Sequence, residues 1–198
     1  MSSIIRADTI QDLSGNNIIN ESGNTITIGA SGDTTNIVGT LQNNGASVGG
    51  ANTPSFEATL SGNQTVTDES NVKIQFNTEV FDTDSCYDNS SNYRFTPTTA
   101  GKYFVYTMIG CNSGSNTELH TINCRIYKNG SAYANSHFDF RANYSRFATG
   151  TTTAIIDFNG SSDYVEAYAY IDDGSGNGHV QSGDCLLYTS DAADEGHC

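Results

Sequence analysis

From Ser55 onward apolar and polar positions alternate in short runs, the period of a strand with one face against a core and one face outward. Phe56, Ala58 and Leu60 alternate with Ser55, Glu57 and Thr59, and Val72, Ile74 and Phe76 alternate with Lys73 and Gln75. Ile122, Cys124 and Ile126 oppose Thr121, Asn123 and Arg125, and this run ends at Asn129-Gly130, a strong short-range signal for a tight hairpin. Thr152, Ala154, Ile156 and Phe158 lead to a second Asn-Gly pair, Asn159-Gly160, which predicts a second hairpin. The next strand places Tyr164, Glu166, Tyr168 and Tyr170 on one face and Val165, Ala167, Ala169 and Ile171 on the other. No helical period interrupts these runs, so the region reads as an antiparallel sandwich. The stretch from Lys102 to Ile109 is different. Its Tyr103, Phe104, Val105, Tyr106 and Met108 leave almost no polar face. Both faces of this strand are therefore expected to be covered, one by the core and the other by a neighbouring subunit.

The first 42 residues follow another pattern. Ser14-Gly15-Asn16, Ser22-Gly23-Asn24 and Ser31-Gly32-Asp33 are each followed by a short β-branched pair, which reads as a turn and one small strand per unit. Such units bury too little to order themselves singly. Two readings stand: an extended β stalk wound with copies of itself, or a polar leader without fixed structure. Residues 43–53, NNGASVGGANT, hold no large side chain and read as a linker to the sandwich region.

Composition narrows the partners. The chain of 198 residues carries 22 acidic against 8 basic side chains, a formal charge of −14. The basic residues are scattered, which excludes nucleic acid and anionic membrane surfaces as partners, since those need clustered Lys and Arg. No apolar run is long enough for a membrane helix, and no membrane insertion is expected. The start, MSSIIRADTIQDLSG, lacks the basic and apolar regions of a secretory signal.

The run from Pro54 to Tyr170 resembles the C1q globular head, a member of the C1q/TNF-like jelly-roll superfamily. PSFEATL, VKIQFNTEVFD, the Tyr87-Asp88 pair, YRFTPTTAGKYFVY, RIYKNG and TTTAIIDFNGSSDYVEAYAY occur in the family's order. The resemblance implies an all-β antiparallel jelly-roll sandwich over residues 54–184 that assembles as a homotrimer. It departs from the family at Gly160-Ser161-Ser162-Asp163, where the family has Gly and Asp adjacent. The leader, MSSIIRADTIQDLSGNNII and its repeats, resembles the attachment end of phage tail-fibre and other virion appendage proteins.

The tail raises a separate expectation. Cys185 to Glu195, CLLYTSDAADE, resembles the translation of a transposon-end sequencing adapter, so residues 185–198 are expected to be adapter-derived. The gene-encoded domain would then lack its last strand and leave an open sheet edge.

Candidate chemistry is sparse. Asp82, Asp84 and Asp88 fall close together, and with Glu79 they form the main candidate for calcium, which takes oxygen ligands from loops and which some relatives in the resembled family bind. Asp172 to Gly178 is a second acidic loop of the same kind. The plainer reading of both is solvated turns, and no cofactor is expected. The Cys spacings match no metal pattern; Cys111 and Cys124 are read as buried thiols with a disulfide left open, and Cys86 as exposed. His120, His137 and His179 sit beside no nucleophile in a catalytic pattern and are read as loop histidines. No catalytic residue is assigned. The expected function is a trimeric phage appendage, located on the virion, whose head binds a host-surface glycan or protein; the alternative is a secreted bacterial or animal C1q-like ligand or lectin. Tyr103, Phe104, Tyr106 and Met108 are the residues assigned to the core or the trimer contact.

Overall fold

The computed structural model describes residues 38–39, 41–43, 46–47, 54–114 and 118–191. The chain divides into two compact units, Met1–Gly49 and Gly50–Cys198. In the first, β1 (Gln42–Asn43) and β2 (Ala46–Ser47) pair antiparallel through Gln42 with Ser47 and Asn43 with Ala46. The repeats at 14–38 and the adapter-like residues 192–198 lie outside the described residues, apart from Val38.

Among its described residues the second unit holds twelve strands: β3 (Phe56–Thr59), β4 (Gln64–Thr65), β5 (Ser70–Lys73), β6 (Thr78–Asp82), β7 (Tyr87–Asp88), β8 (Arg94–Phe95), β9 (Ala100–Asn112), β10 (Leu119–Lys128), β11 (Ser131–Asp139), β12 (Phe147–Asn159), β13 (Val165–Asp173) and β14 (His179–Asp191). They form two antiparallel sheets. One runs in the order β12-β9-β14-β3-β6, with β4 on β14; the other runs β11-β10-β13-β8-β7, with β5 on β13. The sandwich is all-β, as the alternation of its residues predicts.

The inward residues are those the alternation marked. Val165, Ala167, Ala169 and Ile171 of β13 and Ile122, Cys124 and Ile126 of β10 are at most 1% exposed. Phe56, Tyr103 and Phe158 from one sheet meet Tyr87 and Phe95 from the other. Phe56 stacks on Tyr87 at 4.4 Å and on Phe95 at 4.7 Å, while Tyr103 meets Phe158 edge-on at 5.3 Å. Such pairs add attraction beyond the area they bury.

Three expectations are corrected. First, the sheet edge expected to stand open after Gly183 is filled. β14 lies inside its sheet, pairing β9 from Cys185–Ile109 to Asp191–Tyr103 and β3 from Leu186–Thr59 to Thr189–Phe56. Cys185, Leu187 and Thr189 point into the core, an alternation that lets this run serve as a strand whatever its origin. A register shift separates Val180 from Cys185, so the strand enters the sheet through a bulge. Second, Asn159-Gly160 does not close a hairpin. β12 pairs β9 in one sheet and β13 pairs β10, β5 and β8 in the other, so the connection crosses between sheets. Asn159 Oδ1 accepts the backbone N–H groups of Ser161, Ser162 and Asp163, which shapes a wider turn. Asn129-Gly130, in contrast, does join the paired β10 and β11, both residues having positive φ. Third, Cys86 is 6% exposed, because the Asp82 carboxylate turns its loop inward, accepting the backbone N–H groups of Cys86 and Tyr87.

Candidate binding surfaces

The two-faced strand β9 sits between β12 and β14. Tyr103, Val105, Thr107 and Ile109 face the core, and the Thr107 hydroxyl donates to the Leu186 carbonyl at 3.1 Å. Phe104, Tyr106 and Met108 face outward. The neighbouring strands continue this outer face: Ile155 lies opposite Phe104, Tyr188 opposite Tyr106, and Leu186 opposite Met108. Phe81 of β6 extends the same row through Glu57 and meets Tyr188 edge-on at 6.4 Å. Ile155 is 61% exposed, and Phe104 and Phe81 are each a little over a third exposed. An apolar sheet face of this breadth is uncommon on a monomer. The flank formed by β11 and the following loop adds exposed Tyr133, Phe138 and Tyr144.

The acidic residues proposed for calcium have other work in the fold. Asp82 caps the Cys86–Tyr87 turn, as above. Asp88 accepts the backbone N–H groups of Ser90, Ser91 and Asn92 and the Asn92 amide, and these donors hold its carboxyl well below the usual carboxylate range. Asp84 is exposed, and its backbone carbonyl accepts the Cys86 thiol. In the second acidic loop, Asp173 accepts from Ser175 and Asn177, and Asp172 meets His120 Nδ1 at 3.0 Å. Among the described residues no three such groups converge as metal ligands.

The thiols of Cys111 and Cys124 are free and buried, as is that of Cys185. Burial pushes Cys124 up to about 11 and Cys185 up to about 12, and raises Cys111 further, so all three are protonated and poor nucleophiles near neutral pH. The histidines stand on strands rather than in loops. His120 is the second residue of β10 and its ring lies 4.3 Å from that of Tyr144; His137 is exposed on β11, and His179 opens β14.

An open cleft of about 330 Å³ is lined by the turn from Leu60 to Thr65 with Gln75 and Asn77. Its amides brace the turn. Gln64 donates to the Lys73 carbonyl at 2.7 Å and accepts from the Gln75 N–H, and Asn77 accepts from the Ser61 N–H and donates to its hydroxyl. The cleft thus has few polar groups left to direct at a ligand.

The outer face of the other sheet is polar and aromatic. Thr121, Asn123, Arg125 and Tyr127 of β10 stand beside Tyr170, Tyr168 and Glu166 of β13. Tyr127 and Tyr168 stack at 4.0 Å, Arg125 lies over Tyr170 at 5.8 Å, and Lys73 meets the buried Glu166 at 2.5 Å. These residues carry no catalytic or metal motif, and sequence reasoning passed over them; the signal was the alternating Asn123-Arg125-Tyr127 against four alternate positions Tyr164, Glu166, Tyr168 and Tyr170.

No protein-family model matches the sequence, and no curated protein sequence matches it. Solved structures do. Murine APRIL is similar with a TM-score of 0.51 at 6% identity, covering 69% of this chain and 97% of that one. The globular domain of zebrafish complement 1qA gives 0.46 at 10% identity, covering 69% and 94%, and Eiger TNF from S. frugiperda gives 0.49 at 11%, covering 72% and 93%. The sandwich is an antiparallel jelly roll, the fold it shares with the murine APRIL structure.

Proposed function

We propose that this chain is a non-enzymatic binding protein that works as a homotrimer, with the jelly roll as the ligand-contacting head of a phage tail fibre or other virion appendage. The observation that carries the self-association is the outer face of the β9 sheet. Phe104, Tyr106, Met108, Leu186 and Tyr188 form a continuous apolar patch there, with Ile155 and Phe81 exposed at its two sides. Covering this patch removes apolar surface from water, and a second copy of the chain supplies a surface of the same character. If the patch of one copy meets the Tyr133–Phe138 flank of the next, the contact is head-to-tail, and a threefold rotation between copies closes it into a ring. The Ser-Gly-Asn/Asp repeats in the leader's sequence support the appendage reading, because such short units are expected to become ordered only by winding with copies of themselves. The partner is a host-surface glycan or protein held by three weak sites at once. Light scattering on the full chain tests the assembly: the expected mass is three times the 21.1 kDa of one chain, falling to that of one chain in the Phe104→Asp, Tyr106→Ser double variant. A wild-type monomer at micromolar concentration overturns it.

A further inference from the structure

We infer that the outer face of the β10–β13 sheet, centred on Asn123 and Arg125, is a binding site for a neutral pyranose ring. This rests on reading the head as a ligand-binding end, and it names the ligand class and the place. Two rows of side chains cross four strands here: His137, Asn123, Tyr170 and Asn71 in one, and Asn135, Arg125, Tyr168 and Lys73 in the next. At the centre, Asn123 is 3% exposed and its Oδ1 accepts no hydrogen bond. Two residues along the same face, the buried Nε of Arg125 donates none. Unmade buried polar groups are costly, and a sheet that faces solvent has no need to hold them. Arg125 also takes part in none of the ion pairs among the described residues, which engage Lys73, Lys128, Arg141 and His120.

The chemistry of the unmatched pair selects the ligand. One is an acceptor and the other a donor, and a hydroxyl group serves both, giving its hydrogen to Asn123 Oδ1 and taking the Arg125 Nε–H on its oxygen. Beside them Tyr127 and Tyr168, stacked on each other and each half-buried, provide an apolar aromatic surface, while Arg125 lies over the Tyr170 ring. The C–H face of a sugar ring, apolar and slightly positive, complements it. Arg125 would attract a carboxylate ligand, but Glu69, Asp172 and Asp68 all bear on Tyr170 beside it and, with the Asn123 oxygen, oppose an anion there. Glu166 is neutralised by Lys73. The face lies on the opposite sheet from the apolar patch, so in a trimer three such sites are presented outward and act together.

Saturation-transfer NMR on the full chain, with the methyl pyranosides of glucose, mannose and galactose and with N-acetylneuraminic acid as probes, tests the site. At least one neutral pyranoside is expected to give transfer, weakened about tenfold or more by Asn123→Leu and by Tyr168→Ala. Asn123→Leu is expected to melt no lower than wild type, since it removes an unmatched acceptor, whereas an asparagine with a purely structural role would lose stability. Should that variant fail to fold, Tyr168→Ala decides. No transfer from any neutral pyranoside, stronger transfer from N-acetylneuraminic acid, or transfer undiminished in Tyr168→Ala overturns the site. Single sugars need no avidity, so a monomer that binds them overturns the trimer alone, and a trimer that ignores them overturns this site alone.

Discussion

Gly150 of β12 lies against Cys124 of β10 where the two sheets approach, and a Cβ at Gly150 would stand 2.8 Å from the Cys124 Cβ. The Thr152 hydroxyl donates to the Cys124 carbonyl at 2.8 Å across the same gap. β12 and β10 belong to different sheets, so this contact sets how closely they meet at one side of the sandwich. Gly150 has no left-handed backbone to preserve, and the constraint is steric alone. Gly150→Ala is expected to destabilise the fold by about 1–3 kcal/mol, as overpacking does. Chemical denaturation of the two proteins measures it, and equal midpoints would refute the close approach.

Thr189 is fully buried on the core face of β14, and its hydroxyl has no hydrogen-bond partner. Its register neighbours are Phe56 and Val105. Thr189→Val keeps the shape and removes a desolvated polar group, so a gain of ~1 kcal/mol is expected. A higher melting temperature by calorimetry is the check.

Tyr87 is buried between the sheets and donates its hydroxyl to the Phe76 carbonyl at 2.9 Å. Burial, with Asp88 and Glu79 nearby, pushes its ionisation far up. Tyr87→Phe keeps the stack on Phe56 but strands the carbonyl, and a loss of about 1–2 kcal/mol is expected. Denaturant titration reads this directly; an unchanged midpoint would show that water replaces the bond without cost.

The buried thiols make stability fall in alkali. Cys124 is raised from 9.0 to about 11 and Cys185 from 9.0 to about 12, in both cases first by burial. In the unfolded chain they ionise near 9, while the folded chain still holds their protons. Stability is therefore complete below about pH 9 and declines as pH rises from there toward 11 and 12. Cys124→Ala is expected to flatten the early part of that decline. Melting temperatures measured from pH 8 to pH 11 (about the span of the shift) test it, and parallel curves for the two proteins would count against it.

Much of the sandwich was legible in the chain. The strict two-residue period of Ile122-Cys124-Ile126 and Val165-Ala167-Ala169-Ile171 fixes which side chains face inward, because a register slip by one would turn Arg125 and Glu166 into the apolar core and the isoleucines to the outer face. The two-sided apolar character of Tyr103 to Ile109 marked β9 as a strand with a second surface to cover. Local pattern also read Asn129-Gly130 as a hairpin, since both residues tolerate positive φ there.

What the sequence could not decide were matters of which strand pairs with which. Asn159-Gly160 has the same local chemistry as Asn129-Gly130, yet β12 and β13 part into different sheets, because each finds its long partner elsewhere: β12 along all of β9, β13 along β10. The run from Cys185 to Asp191 fills a central position, because any alternating segment of suitable length satisfies the backbone groups of β9 and β3. Asp82 and Asp88 read as an acidic cluster in one dimension and as two separate turn caps in three. Asn123 and Arg125 read as ordinary outward residues; only in the assembled sheet, where Asn123 stands between His137 and Tyr170, are their polar atoms buried and unmatched. Side-chain facing is a local consequence of the strand period, whereas burial of a polar atom depends on neighbours brought together from distant parts of the chain.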